Sequence, residues 1–282
     1  MKFTKMHGAG NDYLFIDARG MEDQKDWSSL AVAMSDRHFG VGSDGIILAA
    51  TSEQADLRMV MLNADGTQGE MCGNGIRCLA AFSYTLGIVQ NDASKVVVET
   101  LAGNKTVTPI WDGPDVVRAI VQMGKPNLSA RDLPAVAPSN ETLSDYPLNI
   151  KDQTFLINGV SMGNPHAVAF LNQPVSEVPL HDLGPLVENH DMFPERVNFE
   201  IVNVVDTSHV EARVWERGSG ETMACGSGAC AIAVTGKLKG LTGDEVKISL
   251  PGGELFVRWA GGCSEVVMEG PVEEVFVGEW PD

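Results

Sequence analysis

The chain has 282 residues, 44% of them hydrophobic, which suits a globular protein long enough for two domain cores. Its formal net charge of −18 disfavours binding to nucleic-acid phosphates or to an anionic membrane surface. The N terminus shows no apolar signal-peptide segment, the longest apolar runs are far too short to cross a bilayer, and the five cysteines are an odd number, so we expect a protein of the reducing cytoplasm.

The first half of the chain predicts strands interrupted by two helices. An amphipathic pattern predicts a helix from Trp27 to His38, and a second helix follows the turn at Cys72 and ends near Leu86. The turn GAGND at residues 8–12 lacks the third glycine and the following helix of a dinucleotide-binding fingerprint. The predicted strands are residues 3–6, 13–17, 46–49, 56–63, 95–100, 105–110 and 116–123.

A proline-rich stretch of weak periodicity then separates two predicted domains. The boundary near residues 121–125 gives a first domain of residues 1–121 and a second of residues 122–270, and the C-terminal strand within residues 271–282 is expected to return to the first domain. A helix follows the turn at Cys225 and runs to about Lys239. The remaining predicted strands are residues 154–160, 210–215, 246–250, 254–259 and 265–269.

Two glycine-rich turns each place a cysteine before a helix. The first is MCGNGIRC at residues 71–78, and the second is ACGSGAC at residues 224–230. A thiol at a helix N-terminus lies among unpaired backbone N–H groups and the positive end of the helix dipole. Both favour the thiolate, so the pKa of such a cysteine can fall below the free value of about 8.5. Cys72 and Cys225 are therefore candidate reactive thiols.

The two turns belong to a longer internal repeat. The offset in residue number from Cys72 to Cys225 also aligns residues 10–75 with residues 163–228 without a gap. Matched polar, glycine and alternating apolar positions over such a length indicate duplication into two like domains rather than a solenoid. The aligned pairs are Asn11 with Asn164, Asn63 with Glu216, Leu57 with Val210, Met59 with Ala212, Met61 with Val214, and Gly73-Asn74-Gly75 with Gly226-Ser227-Gly228.

Two thiols suit the inversion of a carbon that bears an acidic proton. If the domains pack about a pseudo-two-fold axis, the turns face a shared cleft, and one thiolate and one thiol serve as base and acid on opposite faces of the carbon. The helix N-termini offer N–H groups to a carboxylate, and glycines at positions such as Gly75 and Gly228 let the backbone approach a ligand closely. Glu216-Arg217 breaks the symmetry and fits the ammonium and carboxylate of an amino acid, although a surface ion pair is the alternative.

Other sites are less well supported by the residues. Zinc is disfavoured because Cys72 and Cys78 have five residues between them rather than two, and no His-x-x-x-His spacing occurs. Cys78, Cys230 and Cys263 are interpreted as small core or helix residues.

Several motifs are similar to those of diaminopimelate epimerases. They are Asn63-Ala64-Asp65-Gly66, Cys72-Gly73-Asn74-Gly75, Met162-Gly163-Asn164-Pro165-His166, Glu195-Arg196-Val197-Asn198, Glu216-Arg217-Gly218 and Ala224-Cys225-Gly226-Ser227-Gly228. The resemblance runs from Met6 to about Gly270. It implies an α/β fold of two pseudo-symmetric domains, each a mostly antiparallel curled sheet around a central helix, with the active site in the cleft between them. It also implies a homodimer and a cofactor-independent reaction that interconverts LL- and meso-diaminopimelate for lysine and peptidoglycan.

The resemblance also implies roles for individual residues. Cys72 and Cys225 correspond to the acid/base pair, and His166 and Glu216 to sites that tune the cysteines. Some members carry Gln where this chain has Gly45, so Gly45 is left out of the site. The implied substrate-binding residues are Gly73, Asn74, Gly226 and Ser227 at the reacting end, and Asn11, Asn63, Asn164, Asn198, Glu216 and Arg217 for the rest of the substrate.

Two rival functions use the same residues. Another two-cysteine racemase, acting on proline, hydroxyproline or a different amino acid, is disfavoured because a one-ended substrate has no second zwitterion for Glu216 and Arg217. A two-lobed amino-acid binding protein is disfavoured by the paired thiols and the missing export signal. Loss of the Cα proton to solvent separates an enzyme from a binding protein.

Overall fold

The computed structural model describes residues 1–21, 23–90, 93–136 and 142–281, and most of them lie in β-strands. The chain divides into two compact units, residues 1–122 with 269–282 and residues 123–268. No helix among the described residues is long and apolar enough to span a bilayer.

Within its described residues, the first unit contains eight consecutive strands, two helices and strand β18 (Glu273–Glu279). Its elements are β1 (Lys2–Gly8), β2 (Asn11–Asp17), α1 (Trp27–Ser35), β3 (Gly45–Ala50), β4 (Leu57–Asn63), β5 (Gln68–Gly69), α2 (Gly73–Thr85), β6 (Val96–Glu99), β7 (Lys105–Asp112), β8 (Asp115–Gly124) and β18 (Glu273–Glu279), with β8 ending just past the unit's limit. Strand β1 pairs antiparallel with both β18 and β2. Strands β2 and β3 are parallel, and so are β4 and β6, whereas the β3–β4, β4–β5, β6–β7 and β7–β8 pairs are antiparallel.

The second unit repeats this plan. Its elements are β9 (Tyr146–Ile150), β10 (Gln153–Ser161), β11 (Pro165–Phe170), α3 (Leu180–Glu188), β12 (Asn198–Asp206), β13 (His209–Glu216), β14 (Gly220–Thr222), α4 (Gly226–Leu238), β15 (Glu245–Leu250), β16 (Gly253–Arg258) and the first half of β17 (Val266–Pro271), with a short 3₁₀ turn at Val175–Glu177. Strands β11 and β12 are parallel, and so are β13 and β15, while the β9–β10, β10–β11, β12–β13, β13–β14 and β15–β16 pairs are antiparallel.

The offset between Cys72 and Cys225 also relates the helices of the two units. If this offset is added to the first and last residue numbers of α2, the result is the first and last residue of α4. The same addition converts the bounds of α1 into those of α3. The parallel pairs β2–β3 and β11–β12 correspond by the same offset. The internal repeat therefore extends to the strand order and the helix boundaries of each unit.

Each unit wraps its sheet around one helix. Helix α2 contacts β1, β2, β3, β4, β6 and β7, and α4 contacts β10, β11, β12, β15 and β16. Every residue from Gly73 to Tyr84 is buried, as expected for a helix without a solvent face. Separate clusters under α1 and α3 complete the cores: the first includes Leu14, Ile46 and Met34, and the second includes Leu183, Phe199 and Trp215.

The prediction of a mixed α/β fold with mostly antiparallel sheets around central helices is confirmed. The predicted helix from Trp27 to His38 is too long, because α1 ends at Ser35 and the chain turns through Asp36, whose carboxylate accepts hydrogen bonds from the N–H groups of His38 and Phe39. The sequence pattern did not indicate α3, in which Pro185 interrupts the helical signal, or strand β9.

Candidate active site

The two cysteine turns have the same local geometry. Cys72 and Cys225 are the N-cap residues of α2 and α4, with φ and ψ of −123° and 119° and of −118° and 116°. Each thiol accepts a hydrogen bond from a backbone N–H in the first turn of its helix, that of Gly75 at 3.3 Å and that of Gly228 at 3.4 Å. The sulfur thus takes the place of the side-chain oxygen in an ordinary N-cap.

The glycine that caps each thiol also packs against a strand beneath the helix. A Cβ on Gly75 would collide with Cδ1 of Ile47, and a Cβ on Gly228 would lie 2.8 Å from Oε1 of Glu200. Ile47 and Glu200 correspond by the offset that relates the two cysteines. The close contact between helix and sheet is thus a packing reason for glycine at both positions, beside the predicted close approach to a ligand.

The surroundings of Cys72 present a hydrogen-bond acceptor to its sulfur. Oδ1 of Asn11 accepts from Cys72 Sγ at 3.2 Å and from Nδ2 of Asn74 at 3.3 Å. Asn11 and Asn74 are both buried, whereas Cys72 is half-buried. A carbonyl oxygen at this distance favours the protonated thiol over the thiolate, because only the thiol can donate.

A charged cluster fixes the orientation of Asn11. Its Nδ2 donates to Oδ2 of Asp44 at 2.7 Å, and the backbone N–H of Asp12 and a guanidinium N–H of Arg37 also donate to this carboxylate. Burial and the neighbouring Asp12 raise the pKa of Asp44, and the three donors oppose that shift. Burial acts in the same direction on Asp12, but hydrogen bonds from Arg37 and Lys5 prevail and lower the pKa of that carboxyl.

The polar groups around Cys225 differ from those around Cys72. Ser227 Oγ lies 3.5 Å from Cys225 Sγ and accepts from Nδ2 of Asn164 at 3.2 Å. Oδ1 of Asn164 lies 3.0 Å from Nε2 of His166, and Nδ1 of His166 lies 2.6 Å from Oε1 of Glu200. His166 and Glu200 are fully buried. These side chains thus form one continuous hydrogen-bonded series.

Burial sets the protonation of Cys225. Desolvation raises its pKa well above the ordinary value, and the negative charges of Glu216 and Glu200 raise it further, while Ser227 and the Gly228 N–H act against them. The expectation of a lowered pKa is therefore wrong for this thiol, because loss of water outweighs the helix N-terminus. Desolvation also raises the pKa of Glu216, against hydrogen bonds from Thr222 and from the Cys225 thiol.

The predicted ligand-binding turn at Glu216 is held from several sides. Oε1 of Glu216 accepts from Thr222 Oγ1 at 2.6 Å, and the backbone N–H of Arg217 donates to Oδ1 of Asn198 at 2.8 Å. The buried Glu188 accepts from the indole N–H of Trp215 at 2.7 Å and from the Gly218 N–H at 2.8 Å, on either side of Glu216-Arg217. The guanidinium of Arg217 is exposed and donates to the carbonyl of Glu195.

Comparison with known sequences places this chain among its relatives. The family profile of diaminopimelate epimerase matches residues 3–129 and 159–275. The chain belongs to the diaminopimelate epimerase family. The chain is 45% identical to the diaminopimelate epimerase of Pelotomaculum thermopropionicum over 282 residues, with 100% of this chain and 99% of that protein covered. It is 44% identical to the enzyme so named from Heliobacterium modesticaldum, with 100% of both chains covered.

Solved structures extend the likeness of fold to more distant proteins. A hydroxyproline epimerase from Agrobacterium vitis has a TM-score of 0.72 at 16% identity, with 99% of this chain and 91% of that chain covered. A probable proline racemase from Agrobacterium radiobacter also has a TM-score of 0.72, at 14% identity, with 99% and 92% covered. At these identities the comparison shows a shared two-domain fold and no more.

The other predicted residues of this family member lie on the same two turns and strands. Asn63 ends β4, is half-buried and donates from Nδ2 to Thr67 Oγ1 at 3.0 Å. Gly73 and Gly226 open α2 and α4, where backbone N–H groups have no intrahelical acceptor. A Cβ at Gly45 would collide with the carbonyl oxygen of Leu62, so the strand pairing itself excludes a side chain there.

The remaining cysteines are not equivalent to the two cap residues. Cys78 and Cys230 are buried within α2 and α4, and burial raises the pKa of Cys78 to about 12. Cys263 is exposed, so its interpretation as a core or helix residue is wrong. Asp44, Glu188 and Glu200 were not predicted from the sequence. The internal repeat contained a signal for Glu200, because it aligns this charged residue with an isoleucine.

Proposed function

We propose that this protein interconverts LL- and meso-2,6-diaminopimelate without a cofactor, with Cys72 and Cys225 as the paired acid and base. The reaction serves lysine biosynthesis and the supply of peptidoglycan precursor. The observation that supports this most is that two thiols at equivalent positions of the repeat cap two helices with the same backbone angles and the same N–H contact. A two-base inversion requires two chemically alike groups that approach one carbon from opposite faces.

One cysteine thiolate removes the proton from the α-carbon, and the other cysteine delivers its S–H proton to the opposite face. The first cysteine ends as a thiol and the second as a thiolate, so the same pair catalyses the reverse direction after exchanging roles. The negative charge that develops on the reacting carbon spreads into its carboxylate. Backbone N–H groups at Gly73, Asn74, Gly226 and Ser227 stabilise that charge.

The second amino-acid end of the substrate sets the specificity. Glu216 pairs with its ammonium group and the exposed guanidinium of Arg217 with its carboxylate. Asn63, Asn198, Asn11 and Asn164 supply further amide donors and acceptors. A one-ended amino acid leaves Glu216 and Arg217 without a partner, which favours diaminopimelate over proline or hydroxyproline.

The protein acts in the cytoplasm as a homodimer. Strand β18 has both faces largely exposed and includes the apolar side chains of Val275, Phe276 and Val277, at 51%, 42% and 62% exposure. Three adjacent apolar residues on such a strand suit burial against a second copy. Sedimentation of the protein and of a Phe276→Asp variant tests this, and a monomeric parent protein contradicts it.

Proton NMR of the protein with LL-diaminopimelate in D₂O, with a chelator and no added cofactor, tests the proposed activity. We expect the meso form to accumulate with deuterium at one α-carbon. If the α-proton of proline exchanges with solvent and that of diaminopimelate does not, the substrate is a one-ended amino acid and the proposed specificity for diaminopimelate is wrong. No exchange with any amino acid under reducing conditions overturns the enzymatic function.

A further inference from the structure

Glu200 is a buried carboxylate that the duplicated fold does not require. It lies on β12 beneath the first turn of α4, fully buried, and Ile47 occupies the corresponding place in the first unit. His166, its partner on β11, likewise corresponds to Tyr13. Burying a charge is costly unless it is paired. Because the first unit fills the equivalent space with Ile47 and Tyr13, the Glu200–His166 pair is not needed for packing.

The carboxylate is directed at one partner. Oε1 lies 2.6 Å from Nδ1 of His166, and Oε2 is buried without a hydrogen-bond partner among the described residues. The imidazole in turn contacts Oδ1 of Asn164 through Nε2 at 3.0 Å. A carboxylate at one ring nitrogen and a carbonyl oxygen at the other are both acceptors, so this arrangement is satisfied when both ring nitrogens donate.

The direction of the remaining bonds follows from that ring. Asn164 accepts at Oδ1, so its Nδ2 faces Ser227 and donates to Oγ at 3.2 Å. The hydroxyl of Ser227, having accepted one bond, has its own O–H left to donate. Cys225 Sγ lies 3.5 Å away, where either atom can be the donor, and Glu216 is a second acceptor for the S–H of Cys225. Once the sulfur is a thiolate it can only accept, so the Ser227 O–H then donates to it and stabilises it.

We propose that Glu200 is a positioning residue that acts on Cys225 through this series. It orients the ring of His166, and the ring fixes the amide of Asn164. The amide then directs the Ser227 hydroxyl at the buried sulfur, where a hydrogen-bond donor stabilises the thiolate. The inference rests on the proposed function, in which Cys225 must become a thiolate in one direction of the reaction.

The charged groups around Cys225 limit what removal of Glu200 can do. Glu216 on β13 and Glu200 on β12 face the thiol with negative charge, and the ring of His166 on β11 lies between Glu200 and Asn164. Replacing Glu200 by Gln removes one negative charge from the surroundings of Cys225, which by itself favours the thiolate. It also weakens the first bond of the series, because a hydrogen bond to a charged carboxylate is stronger than one to a neutral amide.

A double-mutant cycle with Glu200→Gln and Ser227→Ala tests the series without substrate. The rate of alkylation of Cys225 by iodoacetamide is measured as a function of pH by mass spectrometry of its peptide. Ser227→Ala should slow alkylation near neutral pH about tenfold, as expected for one hydrogen bond to a charged group. Glu200→Gln should slow it several-fold in the parent protein and have no further effect in the Ser227→Ala background.

Two controls accompany the cycle. Cys72, alkylated in the same molecules, reports any general change of the fold, and Glu254→Gln makes the same chemical change at a surface ion pair with Lys247. Faster alkylation of Cys225 in Glu200→Gln, or an equal effect in both backgrounds, means that Glu200 acts as a bare charge and overturns the proposal. If Glu200→Gln does not fold, Asn164→Ala replaces it in the same cycle. Because alkylation is measured without substrate, the cycle reports on the hydrogen-bonded series even if the protein does not epimerise diaminopimelate. Failure of the proposed activity and failure of this inference can therefore be distinguished.

Discussion

The Cys72 and Cys225 turns share a backbone and differ in almost everything around it. In both, a cysteine caps a helix and accepts from a backbone N–H of the first turn. In the first, Asn11 is held by the Asp44 carboxylate and presents its carbonyl oxygen to the thiol. In the second, Asn164 gives its carbonyl oxygen to an imidazole and directs its NH₂ group toward Ser227.

Equivalent asparagines are thus fixed in opposite orientations. A carboxylate beside Asn11 can only accept, and a ring N–H beside Asn164 donates, so each selects one of the two amide orientations. The acceptor that results at Cys72 favours a thiol, and the donor that results near Cys225 favours a thiolate. Duplication provides two similar acid/base groups, and a few buried polar residues make their preferred protonation states different. The reaction requires this difference, because one group must act as an acid while the other acts as a base.

The largest expected effect comes from removing either thiol. Cys72→Ala and Cys225→Ala should each lower the rate of epimerisation by about 10²–10⁴-fold, the range for loss of a general acid or base. Substrate turnover followed by the NMR assay measures it. Cys263→Ala, which removes an exposed cysteine, is the matched control and should leave the rate unchanged. Near-normal turnover by either cap variant is incompatible with two bases.

A smaller effect is expected when the second turn is given the buried surroundings of the first. The double variant His166→Tyr/Glu200→Ile places the residue types of Tyr13 and Ile47 at the corresponding positions. Replacing a buried ion pair by well-packed groups is often neutral or stabilising by about 1–4 kcal/mol, so the free energy of unfolding should not fall. Epimerisation should decrease about tenfold, because Asn164 loses the donor that orients it.

Urea unfolding and turnover measured on the same preparation separate the two roles of the pair. Tyr13→His/Ile47→Glu, the reciprocal exchange, should lower the free energy of unfolding, because Asn11 is already held by Asp44 and a second buried charge has no function there. If the first double variant unfolds readily and the reciprocal one does not, the His166–Glu200 pair is structural, and its proposed action on Cys225 is wrong.

The sequence alone predicts the secondary structure on both sides of each cysteine turn. The offset between Cys72 and Cys225 relates the helix limits of α1 with α3 and of α2 with α4, and periodicity locates most of the strands. Helix α3 escaped prediction on its own pattern, although the repeat relates it to α1. Duplication preserves the spacing between residues, and the spacing determines where helices and strands begin and end. The backbone arrangement of both turns can therefore be predicted from the sequence.

The buried polar contacts could not be predicted in the same way. Glu200 follows Asn198 and Phe199 in an apolar strand, where alternation marks a face but not the partner across it. Its bond to His166 joins residues far apart in the chain, and only the parallel pairing of β11 with β12 brings them together. The lowered pKa expected for both thiols failed at Cys225 for a related reason: burial is a property of the packed structure, whereas the helix N-terminus is visible in the sequence.

The smallest difference between the turns is the contact beneath each capping glycine. Gly75→Ala drives a methyl into Cδ1 of Ile47, and Gly228→Ala places one 2.8 Å from Oε1 of Glu200. Overpacking costs about 1–3 kcal/mol and the helix propensity of alanine offsets about 1 kcal/mol, so both variants should lose at most about 2 kcal/mol of unfolding free energy in urea. Only Gly228→Ala should also slow the alkylation of Cys225, since it displaces the carboxylate from His166. An equal change at Cys225 in both variants would mean that the two glycines differ in packing alone, and that the donor series does not begin at Glu200.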